Sequence, residues 1–271
     1  MHQSRVLRER VAGQSAMAAV VGAQATAPPL GRLARIFGVS PLTMEARAHY
    51  RGALGELLVG DALENLGPTW DVLHDLPLEQ SVVDHLLIGR AGVFTVRAAN
   101  YGRNDVTVDG PAVVVGGEQR DDISCAAAEA AEVSRLLTDA AGKPVRVRPL
   151  LVVVDPQRLT IKVPAAGVRV ISSRELASVL AHAPRTLTGE EVALVSDLAD
   201  LGSTWPAAES GAATAQKLDT QKLHRDFGTI RSSVSDSVVR RVLWGASATL
   251  VVYVAVCCVI AALVTVVVSS S

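Results

Sequence analysis

Apolar positions in residues 50–66 recur at the spacing of one helical face, and a Gly-Pro pair then ends that pattern. The next apolar stretch predicts a strand at residues 69–76. Two further runs rich in Val, Ile, Leu and Phe, at residues 82–88 and 93–99, flank a compact turn signal. Such a pair of runs predicts a β hairpin.

The turn signal of this hairpin is Gly89-Arg90-Ala91-Gly92. A turn at the tip places Ile88 opposite Val93, and counting back places Asp84 opposite Arg97. The hairpin therefore predicts a carboxylate and a guanidinium facing each other across two strands.

A second hairpin, two strands and three helices are predicted after the first hairpin. A small second hairpin is predicted at residues 106–115, an alanine-rich helix at 123–139, and a strand at 145–155. The uniformly apolar second half of that strand indicates cover on both faces of a sheet. A strand at residues 168–171 follows, and two Ser/Thr-x-x-Glu signals, at residues 172 and 188, predict the starts of two helices.

Residues 242–268 form a long apolar run without any charged residue. As a helix it would span about 40 Å, which exceeds the roughly 30 Å hydrocarbon core of a bilayer. Arg240 and Arg241 precede the run, so its amino-terminal side is expected to stay in the cytoplasm. These features predict a single-pass membrane protein with a carboxyl-terminal anchor and a soluble domain facing the cytoplasm. A buried helix of a soluble core is the alternative.

The remaining segments give the predicted domain organisation. Residues 1–47 are expected to form a basic, partly flexible arm, because proline and glycine interrupt any long helix there. Residues 48–201 form an α/β domain, and 202–241 form a polar tether with some helix near 216–227. Residues 242–268 are the transmembrane helix, and 269–271 are a short tail.

Charge and cysteine content bear on which partners and metal sites the chain can have. A net charge of −1 gives no global attraction to nucleic acid. Three cysteines, two of them inside the apolar run, exclude a disulfide framework, and the chain has no C-x-x-C zinc pattern. No cofactor is expected from composition alone.

Specific residues in the middle domain match a known pattern. The segment of about residues 48–155 resembles the nuclease-related domain (NERD), a branch of the PD-(D/E)xK restriction-endonuclease-like fold. The resemblance implies an αβββαβ core with a mixed sheet flanked by helices. The matching residues are Gly52, Gly55, Glu56, Asp84, His85, Gly92, Val93, Phe94, Asn100, Tyr101 and Gly102.

Two departures from the family pattern affect the chemistry. The family carries an acidic residue and a lysine where this chain has Arg97 and Ala99, which share one strand face. Hydrolysis of this kind uses Mg²⁺ held by carboxylates, here Asp84 and Glu56 if the site is active. A guanidinium cannot ligate a cation. We therefore expect Glu56 and Asp84 to be vestigial catalytic positions and the domain to be an inactive pseudonuclease that binds or scaffolds in the cytoplasm.

Other interpretations stay open at this point. An active Mg²⁺-dependent nuclease would need an acidic residue relocated from elsewhere, with Glu79, Asp105 or Glu118 as candidates. A structural membrane protein would contact only other proteins and never nucleic acid. Asp84 and Arg97 would be ordinary surface charges in a purely structural domain. Nucleic acid is a possible partner, the membrane is the expected one, and the sequence names no protein partner.

Overall fold

The computed structural model describes residues 7–28, 30–205 and 220–269. Its helices are α1 (Gln14–Ala25), α2 (Arg32–Ile36), α3 (Met44–Glu64), α4 (Asp122–Ala141), α5 (Leu176–Ala181), α6 (Gly189–Asp200) and α7 (Thr220–Ser269), and a 3₁₀ turn lies at Gly202–Thr204. Its strands are β1 (Trp70–Pro77), β2 (Val82–Gly89), β3 (Gly92–Ala99), β4 (Asp105–Asp109), β5 (Ala112–Val115), β6 (Glu118–Arg120), β7 (Val147–Val153), β8 (Arg158–Val163) and β9 (Arg169–Ser172).

The central sheet has five strands in the order β1-β2-β3-β7-β9. Strands β1, β2 and β3 form an antiparallel meander, whereas β7 and β9 run parallel to β3. The predicted hairpin register is confirmed at the tip, where Ile88 pairs with Val93 and Gly89 with Gly92. Gly92 has a positive φ of 126°, a conformation that favours glycine over other residues at this turn.

Helices cover both faces of this sheet. On one face, Val59 and Leu63 of α3 pack with Phe94 and Leu150 in a buried cluster that also includes α5. On the other face, α4 and α6 contribute a second cluster, in which Val133 lies with residues of β2 and β3. The order α3, β1–β3, α4, β7 is therefore the mixed α/β arrangement predicted from the sequence.

A second, smaller sheet has the order β6-β5-β4-β8. Its β4–β5 hairpin confirms the predicted small hairpin. Strand β8, which pairs in parallel with β4, and the three-residue β6 were not predicted. Both of these strands are largely exposed and carry no apolar run, so the hydrophobic pattern gave no signal for them.

The amino-terminal segment differs from the predicted partly flexible arm over the part that the structure describes. Helix α1 packs against α3 and α7, with Met17 and Val20 fully buried. The carboxylate of Asp75 accepts hydrogen bonds from the backbone N–H and the hydroxyl of Ser15, and from the guanidinium of Arg10. These buried bonds fix the start of α1 to the end of β1.

The segment predicted as a polar tether also differs from the expectation. Residues 206–219 lie outside the described part of the chain, but residues 220–241 belong to the continuous helix α7. Leu223 and Phe227 of α7 are buried against α1 and α3, where the rings of Phe227 and Tyr50 lie 5.7 Å apart. The segment Thr220–Cys258 of α7 is long and apolar enough to cross a membrane by length and composition, and none of its most apolar stretch is buried.

Candidate functional site

Four elements bring charged side chains together at the end of the β2–β3 hairpin that lies away from its turn. Strand β2 supplies Asp84 and strand β3 supplies Arg97. Helix α3 supplies Glu56, and helix α4 supplies Asp122 and Glu129. The positions predicted from the sequence, Glu56, Asp84 and Arg97, therefore lie in one electrostatically coupled region, as their mutual effects on pKa show.

A glycine lets α3 approach the sheet at this point. A Cβ atom on Gly55 would lie 3.0 Å from the Cβ of Asn100, at the residue that follows β3. Asn100 in turn donates from its side-chain amide to the carbonyl of Arg51 in α3. Gly55 and Asn100 both belong to the matching motif, and together they set how closely Glu56 is brought to the strand ends.

Arg97 is held by two carboxylates of α4. Its Nη1 lies 2.6 Å from Oε1 of Glu129, and its Nε lies 3.3 Å from Oδ1 of Asp122. Glu129 is only 5 % exposed, so this ion pair is largely shielded from water. The second carboxylate oxygen of Asp122 accepts a 2.5 Å hydrogen bond from the hydroxyl of Tyr101. The guanidinium is thus fixed in place by a partly buried network of charge-assisted bonds, in which Glu129 is the buried member.

Asp84 and Arg97 were expected to form a direct ion pair, but each of them bonds to another partner in the structure. The β2–β3 ladder ends at His85–Val96, and the carboxylate of Asp84 accepts a 2.7 Å hydrogen bond from the backbone N–H of Ala98. The guanidinium of Arg97 points to α4 instead. There, two of its nitrogens donate hydrogen bonds to the carboxylates of Asp122 and Glu129. Asp84 still contributes to the raised pKa of Arg97.

Burial raises the pKa of three of the carboxyl groups near Arg97. The pKa of Glu56 rises to about 9, because of burial first and then repulsion from Asp84 and Asp75. The pKa of Asp84 rises to about 6 through burial, opposed by the Ala98 N–H and by Arg97. Burial likewise raises the pKa of Glu129 to about 7, opposed by Arg97. At neutral pH the site therefore has one permanent cation and at least one protonated carboxyl group.

Arg97 itself stays charged over the whole accessible pH range. Burial lowers the pKa of its guanidinium, but the carboxylates of Glu129, Asp84 and Asp122 outweigh that effect and raise it above its usual value. A side chain that cannot lose its proton offers no lone pair to a metal.

The residues at this site do not fit Mg²⁺, which prefers several oxygen ligands in near-octahedral geometry. Asp122 and Glu129 are engaged by the guanidinium, and Asp84 by a backbone amide. Among the residues that the structure describes, no three His, Cys, Asp or Glu side chains are grouped to hold a metal ion. Ala99, at the position of the family lysine, is buried in an apolar cluster that includes Val106.

The three acidic residues considered as relocated ligands lie elsewhere. Glu79 is in the loop between β1 and β2, where its backbone N–H donates to Glu132. Asp105 begins β4, and Glu118 begins β6 and pairs with Arg120. None of the three is among the charged groups that shift the pKa of Asp84 or Glu56.

Sequence reasoning missed Asp122 and Glu129, although a signal for them existed. Asp122, Ala126, Glu129 and Val133 recur at helical spacing on the alanine-rich helix, and the last three are buried. A carboxylate on the apolar stripe of a helix needs a partner, because burying an unpaired charge is costly. The position of Glu129 on that stripe therefore indicated a buried cation nearby.

The two histidines of the β1–β2 pair lie apart from this site, on the α3 side of the sheet. His74 and His85 are both buried, and their Nδ1 atoms lie 2.8 Å apart. Burial lowers the pKa of both imidazoles, well below the usual value in the case of His85. Because successive side chains of a strand alternate between its faces, His85 points away from the face of Asp84, and it lies beside Gly60 of α3.

Four arginines near the two ends of β3 fall into two groups. Arg90 is in the hairpin turn, and Arg148 lies beside it, over the Phe94 ring and bonded to the carbonyl of Ala91. Arg97 and Arg103 lie at or beyond the opposite end of β3. These four arginines therefore do not line one continuous path that could follow a phosphate backbone.

Comparison with known proteins identifies one family. Residues 51–154 match the family model described as the nuclease-related domain, NERD. No curated protein and no solved structure matches the chain.

Proposed function

Because residues 51–154 of this chain are a nuclease-related domain, we propose that the protein is a membrane-anchored member of that family whose Mg²⁺-dependent cleavage has been lost. The domain then serves as a cytoplasmic binding or scaffolding module. It needs no cofactor, and its constant partner is the lipid bilayer.

The observation that carries this proposal is the bonding of Arg97. Its guanidinium bridges Asp122 and the buried Glu129, next to Asp84 and Glu56. A divalent ion placed among these carboxylates would meet a fixed positive charge, and two of its ligands would have to give up charge-assisted bonds. Where an active relative would hold a metal ion, this protein thus has the guanidinium of Arg97.

A cleavage assay tests the loss of activity. The full chain, purified in detergent, is incubated with single- and double-stranded DNA and RNA in the presence of Mg²⁺ or Mn²⁺. We expect no cleavage above that of the Asp84→Asn variant. Cleavage that requires the metal and disappears in Asp84→Asn would overturn the proposal.

An active nuclease with a relocated acid is the second candidate, and one observation favours it. Glu129 approaches the site from α4 and acts on the pKa of Glu56, whereas Glu79, Asp105 and Glu118 do not. If the cleavage assay gives a positive result, Glu129→Gln separates the two cases. Loss of activity in that variant would identify Glu129 as the relocated acidic residue.

Nucleic-acid binding without cleavage separates a binding module from a structural membrane protein that contacts only proteins. Binding to phosphates weakens steeply as salt rises, because counterions are released. We expect the full chain to retain a labelled oligonucleotide at 50 mM salt and to release it as the salt is raised. Equal, undetectable binding at all salt concentrations would favour the purely protein-contacting alternative.

Membrane anchoring is proposed from the exposed apolar surface of α7 and from the arginines that precede it. Val242, Leu243 and Trp244 begin this surface, directly after Arg240 and Arg241. The basic side is expected to be cytoplasmic. Trypsin should therefore digest the domain in sealed vesicles with the cytoplasmic face outward and leave it intact in vesicles of the opposite orientation. Protection in the first and digestion in the second would reverse the orientation.

A further inference from the structure

The short helix α2 exposes an apolar face that its own domain does not cover. Leu33, Ile36 and Phe37 are 70 %, 50 % and 51 % exposed. Their spacing of three and four residues places them on one side of the helical turn. Three large apolar side chains on one side of so short an element form a contiguous surface that favours contact with an apolar partner.

This face is joined to α7 at the point where the apolar run begins. The indole N–H of Trp244 donates to the carbonyl of Ile36 over 2.8 Å, and the rings of Phe37 and Trp244 lie 5.1 Å apart. Arg241 donates to the carbonyl of Gly38 over 3.0 Å. A Cβ atom on Gly38 would overlap the backbone of Ser237, so this glycine allows the close approach.

Positive charge surrounds the apolar face. Arg32 and Arg35 are exposed on α2, and Arg240 is exposed on α7, where its Nη1 donates to the carbonyl of Arg35 over 3.1 Å. Asp236 is the acidic residue of the adjoining cleft, which has a volume of about 360 Å³. Arginines beside apolar side chains suit the headgroup region of a bilayer, because their stems cover apolar surface while their charge stays in water.

We propose that residues 32–39, here the interfacial segment, insert their apolar side chains into the headgroup boundary of the membrane that α7 crosses. The arginines then lie against anionic lipid headgroups. This inference rests on the proposed membrane anchor. The interfacial segment and Trp244 form one membrane-contacting surface that fixes how the nuclease-related domain faces the bilayer.

The attachment of α7 to the domain makes a lipid surface the favoured partner of this face. Leu223 and Phe227 are buried against α1 and α3, so the first turns of α7 cannot swing freely relative to the domain. The same helix continues into the apolar run without a break. Once α7 crosses a bilayer, the contacts of Ile36, Phe37 and Gly38 with residues 237–244 hold the interfacial segment at the depth of the bilayer surface.

Tryptophan quenching in vesicles tests the proposal. The full chain and its Leu33→Trp and Ile36→Trp variants are reconstituted in phosphatidylcholine–phosphatidylserine vesicles, with and without lipids brominated near the carbonyl groups. Ile161→Trp is the matched control, because Ile161 is 46 % exposed on β8, away from α7. The emission added by each new tryptophan is obtained by subtracting the emission of the unsubstituted chain.

We expect brominated lipid to quench roughly half of the emission added at positions 33 and 36 and almost none of that added at 161. Aqueous acrylamide should show the opposite order. Quenching at 33 and 36 by acrylamide but not by lipid would overturn the interfacial segment. Shielding from both quenchers would also overturn it and would indicate a protein surface, such as a second copy of the chain.

A separate measurement distinguishes failure of the anchor from failure of the interfacial segment. The unsubstituted chain should remain with the vesicles after an alkaline carbonate wash. Release by that wash would overturn the membrane anchor and the interfacial segment together. Retention of the chain, with positions 33 and 36 reached only by acrylamide, would overturn the interfacial segment alone.

Discussion

At the scale of single residues, Arg97 organises the site by charge and by geometry. A guanidinium presents donors in a fixed fork that matches carboxylate oxygens, whereas a divalent ion needs those oxygens directed at itself. The carboxylates of Asp84, Asp122 and Glu129 would repel one another here without a cation. Arg97 supplies that cation permanently, through bonds to Asp122 and Glu129.

Replacing Arg97 with methionine should destabilise the protein. The substitution keeps much of the apolar stem but leaves Glu129 buried without its ion-pair partner. We expect a loss of about 2 to 3 kcal/mol in the free energy of unfolding, measured by urea unfolding of the full chain in detergent. Arg120→Met is the matched control, since its pair with Glu118 is exposed and should contribute less than about 0.5 kcal/mol. Equal losses in both variants would argue against a buried network.

The contribution of Glu56 to the stability of the protein should fall as the pH rises from about 5 to 8. Glu56 has a folded-state pKa of about 9 against an ordinary value of 4.5, so over this range the folded chain keeps a proton that the unfolded chain releases. A state that binds more protons loses stability as protons become scarce. Asp84 and Glu129, whose pKa values are also raised, act in the same direction at lower pH.

Glu56→Gln removes one titrating group from this balance while keeping the size of the side chain. The change in unfolding free energy between pH 5 and 8 should therefore differ from that of the unsubstituted chain by about 4 kcal/mol. Glu118→Gln, at an exposed position, is the matched control. If Glu56→Gln shows the same slope as the unsubstituted chain, Glu56 is not a buried, protonated group.

At the scale of elements, close packing of α1 on α3 joins the amino-terminal segment to the domain. Gly60 of α3 lies against Ala12 and beside the rings of His74 and His85. A side chain at this position would push Ala12, and with it the start of α1, away from α3. The buried bonds of Asp75 to Arg10 and Ser15 hold the same segment at its start.

Two glycine-to-alanine substitutions in neighbouring helices should act in opposite directions. Gly60→Ala forces a methyl group into Ala12 and should cost about 1 to 3 kcal/mol of stability. Gly22→Ala in α1 meets open space and should stabilise by about 0.5 to 1 kcal/mol, because alanine favours the helix. Thermal unfolding of both variants measures the difference. A Gly60→Ala variant as stable as Gly22→Ala would contradict the packing of α1 on α3.

Local pattern predicted the elements whose burial is strong and regular. The turn glycines fixed the register of β2 and β3, and the apolar end of β7 indicated its place between two helical layers. The partner of Arg97 was not predicted, because Asp122 and Glu129 are more than twenty residues away and reach it only through the packing of α4. The docking of α1 depends likewise on Asp75, whose role appears only once β1 is placed.

At the scale of the whole molecule, α7 connects the domain to the proposed membrane span as one helix. Its first turns bury Leu223 and Phe227 against the domain, and its later turns, as far as residue 258, expose a mostly apolar surface. The composition of residues 220–236 indicated a tether because few of its side chains are large and apolar. Two such side chains suffice for docking, since α1 and Tyr50 provide a surface that the local sequence does not reveal.

The proposed loss of cleavage rests on two observations: the match of residues 51–154 to the nuclease-related domain, and the residues found at its site. Residues 51–154 keep the nuclease-related architecture, the glycine that lets α3 approach the strands, and Asp84 itself. The positions of the second acidic residue and the lysine carry Arg97 and Ala99 instead. The protein therefore combines a retained fold with a site that supplies its own positive charge.

Calorimetric titration with Mg²⁺ tests this claim most directly, on the full chain in detergent and on a variant that carries Arg97→Glu together with Ala99→Lys. Circular dichroism first establishes that the variant is folded, because Ala99 is buried. We expect no Mg²⁺ uptake by the unsubstituted chain and binding by the variant with a Kd of roughly millimolar or tighter. Uptake by the unsubstituted chain that Asp84→Asn abolishes, or no uptake by the folded variant, would contradict the account.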